Sequence, residues 1–334
     1  MSRTLIIAEA GVNHNGSVDT ACALVDAAFE AAADVVKFQT FRADQLATGA
    51  APKAAYQERQ TRSGGAQRDM LAALELDAQA HARIHKHCRT RGIEFLSTAF
   101  DDASLDLLLA LDMARYKIPS GELTNLPMLR RLGALGKPLI LSTGMATLGD
   151  IEAALQAVVA AGTTLADITV LQCTTDYPAA MDDVNLRAMQ TIATAFGVAV
   201  GFSDHTAGIE ASVAAVALGA TVIEKHLTLD RTMTGPDHAA SLEPDAFTAM
   251  VAAIRNVERA LGNGRKVPTV REAANRVAAR KSIVAARPIP VGAVLGAADL
   301  NVKRPGSGLS PMRWDEVVGS TTRRAYDTDD LIEL

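Results

Sequence analysis

The chain has 334 residues, of which 49% are hydrophobic, 21% charged and 4% aromatic, and its formal net charge is -5. These values are typical of a folded globular protein and exclude a disordered, collagenous or disulfide-stapled chain. The 33 basic and 38 acidic residues form no basic stripe, which argues against a nucleic-acid partner.

The N-terminal residues and the cysteines indicate a cytoplasmic protein. Met-Ser-Arg-Thr leads directly into an apolar strand, without the charged, apolar and cleavage regions of a signal peptide. No apolar run reaches the roughly 18 residues of a membrane span, so we expect no membrane partner. The cysteines Cys22, Cys88 and Cys173 are sparse and odd in number, which favours a reducing compartment.

Eight mostly apolar runs are predicted to be parallel strands buried on both faces. They are Thr4–Gly11, Asp34–Phe41, Glu94–Phe100, Arg115–Gly121, Pro138–Met145, Ile168–Thr175, Val198–His205 and Thr221–Leu229. Segments rich in alanine and leucine at helical spacing lie between them. Strand and helix alternate eight times, which predicts an α/β fold of the (β/α)8, or TIM-barrel, type.

The second and third strands are separated by an unusually long stretch, Arg42–Asp77, which includes Arg62, Gly64 and Gly65. In a barrel such an insertion lies on the face that carries the active site. It is therefore predicted to be either a partial lid or a surface loop.

The chain after the eighth strand predicts a second domain. A helix over Pro244–Leu261 closes the barrel and ends at Gly262-Asn263-Gly264. We expect a barrel domain over 1–265, a linker over 266–280 and a small β-rich domain over 281–334. Its strand-like pieces are Ser282–Ala285, Leu300–Lys303 and Arg324–Tyr326.

Polar residues stand at the C-terminal ends of nearly all the strands, where a barrel builds its active site. Lys37 and Lys117, with the hydroxyls of Thr98, Ser120, Ser142 and Ser203, suit a small phosphorylated anion. Burying such groups costs desolvation free energy, which makes a function for them more plausible than a chance arrangement.

Two histidines and one glutamate add further chemistry. His205 and His226 end adjacent strands and could hold a divalent metal with open positions, or could simply be hydrogen-bonded in a polar mouth. Glu9 could act as a general acid or base. The other histidines considered, His81, His85 and His87, are predicted to lie on a solvated helix face.

Ordered motifs along almost the whole chain resemble the sialic acid synthase family. They include Ile7–Gly16, Val36–Thr40, Tyr116–Glu122, Leu141–Met145, Gly201–Thr206, Ile223–His226 and Gly235–His238. The tail segment Val302–Gly308 is similar to the antifreeze-like SAF domain (β-clip) of that family.

The resemblance implies a metal-dependent transferase. It would add phosphoenolpyruvate to an open-chain N-acetylated mannosamine-type sugar and release phosphate by C–O cleavage. It implies that Glu9 is the acid or base and that His205 and His226 bind a divalent metal, commonly Mn²⁺ in the family, with Mg²⁺ or Co²⁺ as alternatives. Phosphoenolpyruvate would be held by Lys37, Thr98, Lys117, Ser120, Ser142 and Ser203.

The same resemblance implies the surroundings of the sugar and the oligomeric state. The positions that match the sugar and metal side are Gln39, Glu122, Tyr177 and Asp237, and Thr175 is also expected on the sugar side. Arg304 matches an arginine that one subunit lends to the barrel of its partner, which implies a domain-swapped homodimer.

Two departures concern the sugar. Thr175 stands where some bacterial members have asparagine, and Ala278 stands near an aromatic linker position. Our first hypothesis is the synthesis of N-acetylneuraminate from N-acetylmannosamine. The alternative is N,N'-diacetyllegionaminate synthesis from 2,4-diacetamido-2,4,6-trideoxymannose. A synthase of phosphorylated sugars on the same barrel and a non-enzymatic carbohydrate-binding protein are the remaining alternatives.

Overall fold

The computed structural model describes residues 3–61 and 65–334, which form two compact units over 3–262 and 263–334. Arg62 and Gly64 of the predicted insertion lie outside the described residues. Within those ranges no helix is both long and apolar enough to cross a membrane.

The first unit is an eight-stranded parallel barrel, as the sequence predicts. Its strands are β1 (Leu5–Gly11), β2 (Val35–Thr40), β3 (Glu94–Ala99), β4 (Tyr116–Ile118), β5 (Leu139–Ser142), β6 (Ile168–Cys173), β7 (Ala199–Asp204) and β8 (Val222–His226). Hydrogen-bonded neighbours follow the order β3-β2-β1-β8-β7-β6-β5-β4, and β3 packs beside β4. The strands are buried on both faces because helices cover the outside.

Helices follow the strands as expected from their amphipathic spacing. They are α1 (Val18–Glu30), α2 (Ala43–Leu46), α3 (Ala55–Thr61), α4 (Gln67–Ala72), α5 (Ala78–Arg91), α6 (Asp102–Ala110), α7 (Leu126–Gly133), α8 (Leu148–Ala161), α9 (Ala188–Phe196), α10 (Glu210–Ala217) and α11 (Pro244–Leu261). Several begin at side-chain caps, such as Ser17, Asp77 and Asp101, whose oxygens accept from backbone N–H groups of the first turn.

Alternation along the strands sets the inward and outward faces of the barrel. In β8, Glu224 and His226 point into the barrel, whereas Lys225 lies fully buried on the outer side. There Lys225 Nζ pairs with Asp204 Oδ2 at 3.1 Å and donates to the carbonyl of Thr206 at 2.6 Å. This outward pair fastens the turn after β7, directly behind His205.

The stretch between β2 and α5 is structured. It contains α2, α3 and α4, and its residues Phe41 and Leu74 form a small hydrophobic cluster with Val12. Several of its side chains line the barrel mouth. The described part of this stretch therefore matches the lid alternative rather than the surface-loop alternative.

The second unit has its own small core. It contains α12 (Val270–Ala279), the antiparallel strands β9 (Ser282–Ala285) and β10 (Leu300–Lys303), and α13 (Trp314–Val317). Ile283, Leu295, Val317 and Tyr326 are among the buried residues of that core. The predicted third strand, Arg324–Tyr326, is wrong: Tyr326 forms only an isolated bridge with Ile289, because the turn residues around it end the pairing at once.

Candidate active site

Four charged side chains meet inside the C-terminal end of the barrel. Lys37 Nζ lies 2.6 Å from Glu9 Oε2 and 3.7 Å from Glu224 Oε2, and Lys117 Nζ lies 3.5 Å from Glu224 Oε1. Each of these side chains is 6% exposed or less. The positive charges of two ammonium groups thus compensate the negative charges of two carboxylates at a site that is shielded from water.

Burial and neighbouring charge shift the pKa values of this quartet. Burial raises the pKa of Glu9, although Lys37 opposes the shift. Burial disfavours the charged form of Glu224, but Lys117 and Lys37 outweigh it and lower the pKa of Glu224 to about 2. Burial also lowers the pKa of Lys117, whereas for Lys37 the carboxylates of Glu224 and Glu9 overcome burial and raise its pKa. Glu9 is therefore the member best suited to exchange a proton.

Hydroxyl groups surround the two lysines. Lys117 Nζ donates to Ser142 Oγ at 2.5 Å, and Lys37 Nζ approaches Thr98 Oγ1 at 3.4 Å. Ser203 Oγ donates to Glu224 Oε1 at 3.0 Å. Ser120 Oγ accepts the N–H of Gly144 at 2.9 Å and lies 3.2 Å from Cys173 Sγ. Ammonium groups and hydroxyl donors gathered in one place are suited to an oxyanion.

The two predicted metal ligands lie beside each other at the ends of β7 and β8, edge to face with ring centroids 5.4 Å apart. Burial lowers the pKa of His205 to about 4 and that of His226 well below its ordinary value, so both imidazoles are neutral. His205 Nδ1 lies 2.6 Å from the carbonyl of Thr174, to which it donates, so the lone pair is on Nε2.

His226 has a buried nitrogen without a partner, whereas His205 Nε2 lies 3.4 Å from Ser203 Oγ. The nitrogen of His226 is Nδ1, and it lies 3.8 Å from Asp237 Oδ2. Neutral imidazoles, one of them with an uncommitted nitrogen, and a nearby carboxylate fit a divalent cation. Across residues 3–61 and 65–334, no group of three or more histidines, cysteines or carboxylates is arranged as a metal site.

The remaining predicted residues form the rim of the same site. The Tyr177 ring packs on His205 with centroids 4.2 Å apart, and Gln39 Nε2 donates to Glu9 Oε1 at 3.1 Å. Glu122 Oε2 accepts from Asn125 Nδ2 at 2.5 Å. Burial, aided by Glu9, raises the pKa of Asp237 to about 7.

A cavity of about 350 Å³ connects these groups. The predicted site residues that line it are Glu9, Lys37, Gln39, Thr98, Lys117, Ser120, Glu122, Ser142, Thr175, Tyr177, Ser203, His205, His226 and Asp237. Arg304 belongs to the second unit, where its side chain is exposed and its Nε donates to the carbonyl of Ala279 at 3.1 Å. Its role across a subunit interface stays a prediction.

The structure adds residues to which the sequence interpretation gave no role. Glu224 is the shared partner of both lysines, and its alternation with His226 in β8 was the available signal. Tyr56 of α3 packs against Tyr177 with ring centroids 4.8 Å apart. Nothing in the local sequence of the insertion indicates this contact.

The predicted solvated position of His81 is wrong. His81 is 1% exposed, and its Nε2 lies 2.8 Å from Thr40 Oγ1 while Nδ1 lies 2.9 Å from the carbonyl of Asp77. It is buried because the first turn of α5 packs beneath the barrel mouth, where both ring nitrogens find partners. His85 and His87 of the same helix are partly exposed.

A charge-balanced cavity at the C-terminal ends of a parallel barrel is the arrangement in which barrel enzymes place their active sites. The model of the NeuB family matches residues 24–266, and that of the SAF domain matches residues 280–332. The chain belongs to the NeuB family and carries a SAF domain, which confirms the predicted resemblance and fold.

Two curated relatives and one solved structure illustrate the similarity. The N,N'-diacetyllegionaminic acid synthase of Campylobacter jejuni is 48% identical over 99% of this chain and 99% of its own. That of Legionella pneumophila is 46% identical over 94% of this chain and 89% of its own. The N-acetylneuraminic acid synthetase of Leptospira borgpetersenii, solved with citrate, is 30% identical with a TM-score of 0.71 over 82% of this chain and 90% of its own.

Proposed function

We propose that this protein condenses phosphoenolpyruvate with 2,4-diacetamido-2,4,6-trideoxymannose, forming N,N'-diacetyllegionaminate and phosphate. The observation that carries the condensation is the buried pair Lys37 and Lys117 among hydroxyls, opposite two neutral histidines, in one cavity. The choice of sugar is supported by the two legionaminic acid synthases, which are 48% and 46% identical. These relatives favour the alternative sugar over N-acetylmannosamine, which is the substrate in our first hypothesis.

Phosphoenolpyruvate would bind at the lysine end of the cavity. Lys37 and Lys117 supply two positive charges, and Thr98, Ser142 and Ser120 supply directed hydroxyls. Glu224 keeps both lysines charged before the anion arrives, since its own pKa of about 2 leaves it ionised. The resident carboxylates also prevent a permanent excess of buried positive charge.

The proposed reaction forms one C–C bond and breaks one C–O bond. The enol carbon C3 attacks the sugar aldehyde carbon, and the aldehyde oxygen takes up a proton. Water then adds to C2 and loses one proton. The C2–O bond to phosphate breaks as the new C2 hydroxyl gives up its remaining proton, so that hydrogen phosphate leaves with the bridging oxygen and a ketone remains. The atoms balance without an oxidant or a reductant.

Glu9 is placed to move the protons of this sequence. Its Oε2 lies 2.6 Å from Lys37 Nζ, and Gln39 donates to its Oε1 at 3.1 Å, which fixes the carboxyl plane. The raised pKa of Glu9 brings its neutral and charged forms closer in free energy.

His205 and His226, with Asp237 beside them, would hold a divalent cation, which we propose is Mn²⁺. When bound, this cation supplies a Lewis acid for the aldehyde oxygen. Tyr177 covers His205 with its ring and so excludes water from that side. Arg304, exposed on the second unit, is the residue that we propose completes the site of a partner subunit in a homodimer.

The test uses the purified full chain with phosphoenolpyruvate, Mn²⁺ and a panel of sugars, with phosphate release and product mass as readouts. We expect release only when all three are present, loss of turnover on removing the metal with a chelator, and the product mass of N,N'-diacetyllegionaminate. If N-acetylmannosamine is turned over as fast as the diacetamido sugar or faster, the result would support the first hypothesis, N-acetylneuraminate synthesis. Sugar binding without any phosphate release would support a carbohydrate-binding protein instead.

A further inference from the structure

The cavity has two chemically different halves. The charged half holds the lysines, the carboxylates and the histidines described above. Apart from these groups the lining is largely apolar, although Gln57 and Gln67 also belong to it, and much of this apolar half comes from the stretch between β2 and α5. We refer to four of its side chains, Leu46, Met70, Leu71 and Leu74, as the insertion wall.

The insertion wall is part of a packed cluster. Leu74 is 8% exposed and forms a hydrophobic cluster with Val12 and Phe41, against which Leu46, Leu71 and Phe100 pack. The rings of Phe41 and Phe100 meet edge to face with centroids 6.3 Å apart. This cluster is separate from the main barrel core, so the wall has a support of its own.

Polar side chains next to the wall are engaged with one another. Gln57 Oε1 accepts the N–H of Ala54 at 2.9 Å and an amide hydrogen of Gln67 at 3.2 Å, and Gln57 Nε2 lies 3.4 Å from Tyr56 Oη. These bonds tie α3 to α4 and hold the segment that carries Met70 and Leu71.

The wall has no cation of its own to receive a phosphate. Among the described residues that line the cavity, the cations are Lys37 and Lys117, and both lie in the charged half. A phosphate ester against the wall would lose its hydration without gaining a partner, and a hydroxyl would lose part of its hydration. A methyl group there would leave water favourably.

We infer that the insertion wall is the specificity-determining surface for the end of the sugar opposite the aldehyde, where it selects a terminal methyl group over a hydroxymethyl group or a phosphate ester. The inference rests on the proposed function, which places the aldehyde beside His205 and His226. The insertion wall lines the same cavity as the two histidines, so we place the far end of an open-chain six-carbon sugar against it. Leu46, Met70 and Leu71 are partly buried, whereas Leu74 is a buried member of the cluster, so Met70 and Leu71 are the positions that we change.

The test compares the 6-deoxy sugar with its 6-hydroxy counterpart, both carrying the same two acetamido groups. We expect the wild-type protein to prefer the 6-deoxy sugar by about 10- to 100-fold in kcat/KM, the range in which an apolar pocket rejects an added hydroxyl. The 6-phosphate ester should give no measurable turnover.

Two isosteric variants test the named residues. Leu71→Asn and Met70→Gln should each reduce the preference to within about threefold of unity, mainly through KM for the sugar, while KM for phosphoenolpyruvate stays unchanged. Leu165→Asn, at a position 42% exposed and outside the cavity, is the matched control and should keep the wild-type preference.

Equal kcat/KM for the two sugars in the wild-type protein, or an unchanged preference in both wall variants, would overturn this inference and leave the proposed condensation standing. Absence of phosphate release with either sugar would instead refute the proposed function, and the inference with it. The two failures are therefore distinguishable.

Discussion

Glu224 shows how a single carboxylate determines the charge of the site. It lies within 3.7 Å of Lys37 Nζ and 3.5 Å of Lys117 Nζ, and it accepts from Ser203. Removing one partner of a buried charge group leaves uncompensated charge, which costs more than the pair contributes when intact. Glu224 thus stabilises the unliganded site and competes with an incoming anion.

The variant Glu224→Gln tests this balance. It keeps the shape and an acceptor for Ser203 but removes the negative charge. We expect the barrel unit to lose about 3 kcal/mol of unfolding free energy in phosphate-free buffer. We also expect inorganic phosphate to raise the Tm of the variant more than that of the wild type, measured by calorimetry.

Glu94→Gln is the control for that experiment. Glu94 pairs with Arg115 at 2.7 Å, and it does not line the cavity. Loss of the Glu94 carboxylate should lower the Tm of the protein without changing the increase in Tm that phosphate causes. An identical phosphate response in Glu224→Gln and wild type would show that the lysines do not form the anion site.

At the scale of elements, the segment after β8 is held by a short network of side chains. Asn15 Nδ2 donates to the carbonyl of Thr234 at 3.0 Å, and Asn15 Oδ1 lies 3.2 Å from His238 Nε2. His238 Nδ1 lies 2.7 Å from Thr228 Oγ1. The network fixes the backbone on both sides of Asp237, which faces His226.

At Gly235 this network leaves no space for a side chain. A Cβ added there would lie 2.6 Å from His238 Cδ2 and 2.9 Å from Asn15 Oδ1. Gly235→Ala should displace Asp237 and lower kcat/KM for the sugar by about 100-fold, since misplacement by about 1 Å has effects of that size. KM for phosphoenolpyruvate should change little. Steady-state kinetics with each substrate varied separately measures both effects.

Gly149→Ala is the matched control, because its added Cβ would meet only Thr147 Oγ1 at 3.7 Å, an ordinary contact. It should leave both kinetic constants unchanged. Full activity of Gly235→Ala would show that the network does not position Asp237.

The same elements show what sequence patterns can and cannot predict. Apolar runs predicted all eight barrel strands, and polar residues predicted at their C-terminal ends, such as Lys37 and His226, line the cavity. The contact between Tyr56 and Tyr177 could not be predicted from the sequence. It joins residues that are far apart in the chain, and the insertion that carries Tyr56 has no periodic pattern. The burial of His81 was missed because the local pattern of α5 does not show what packs against it.

At the scale of the whole molecule, the histidines are unevenly distributed. All seven lie between residues 14 and 238, so the unit over 263–334 contains none. Burial lowers the pKa of His14 to about 4, and it also lowers the pKa values of His81 and His238. Below pH 6.5 the unfolded barrel unit therefore binds more protons than the folded one at these positions.

The sign of the resulting pH dependence follows from linkage. A group whose folded pKa is lowered contributes stability that is present above its unfolded pKa, and that stability is lost as the pH falls. For His14 the complete loss is about 3 kcal/mol, reached near pH 4. Asp237 acts in the opposite direction, because its pKa is raised to about 7 and the folded form gains stability as it takes up a proton.

His14→Asn isolates the contribution of one buried imidazole. The asparagine oxygen can accept the N–H of Gly16, which His14 Nδ1 accepts at 3.0 Å, but it does not titrate. We expect the unfolding free energy of the barrel unit to fall less steeply between pH 6.5 and 5 in this variant than in the wild type, measured in chelator-containing buffer by denaturant titration at each pH. Equal slopes in His14→Asn and wild type would mean that the imidazole of His14 takes up its proton as readily in the folded barrel as in the unfolded chain.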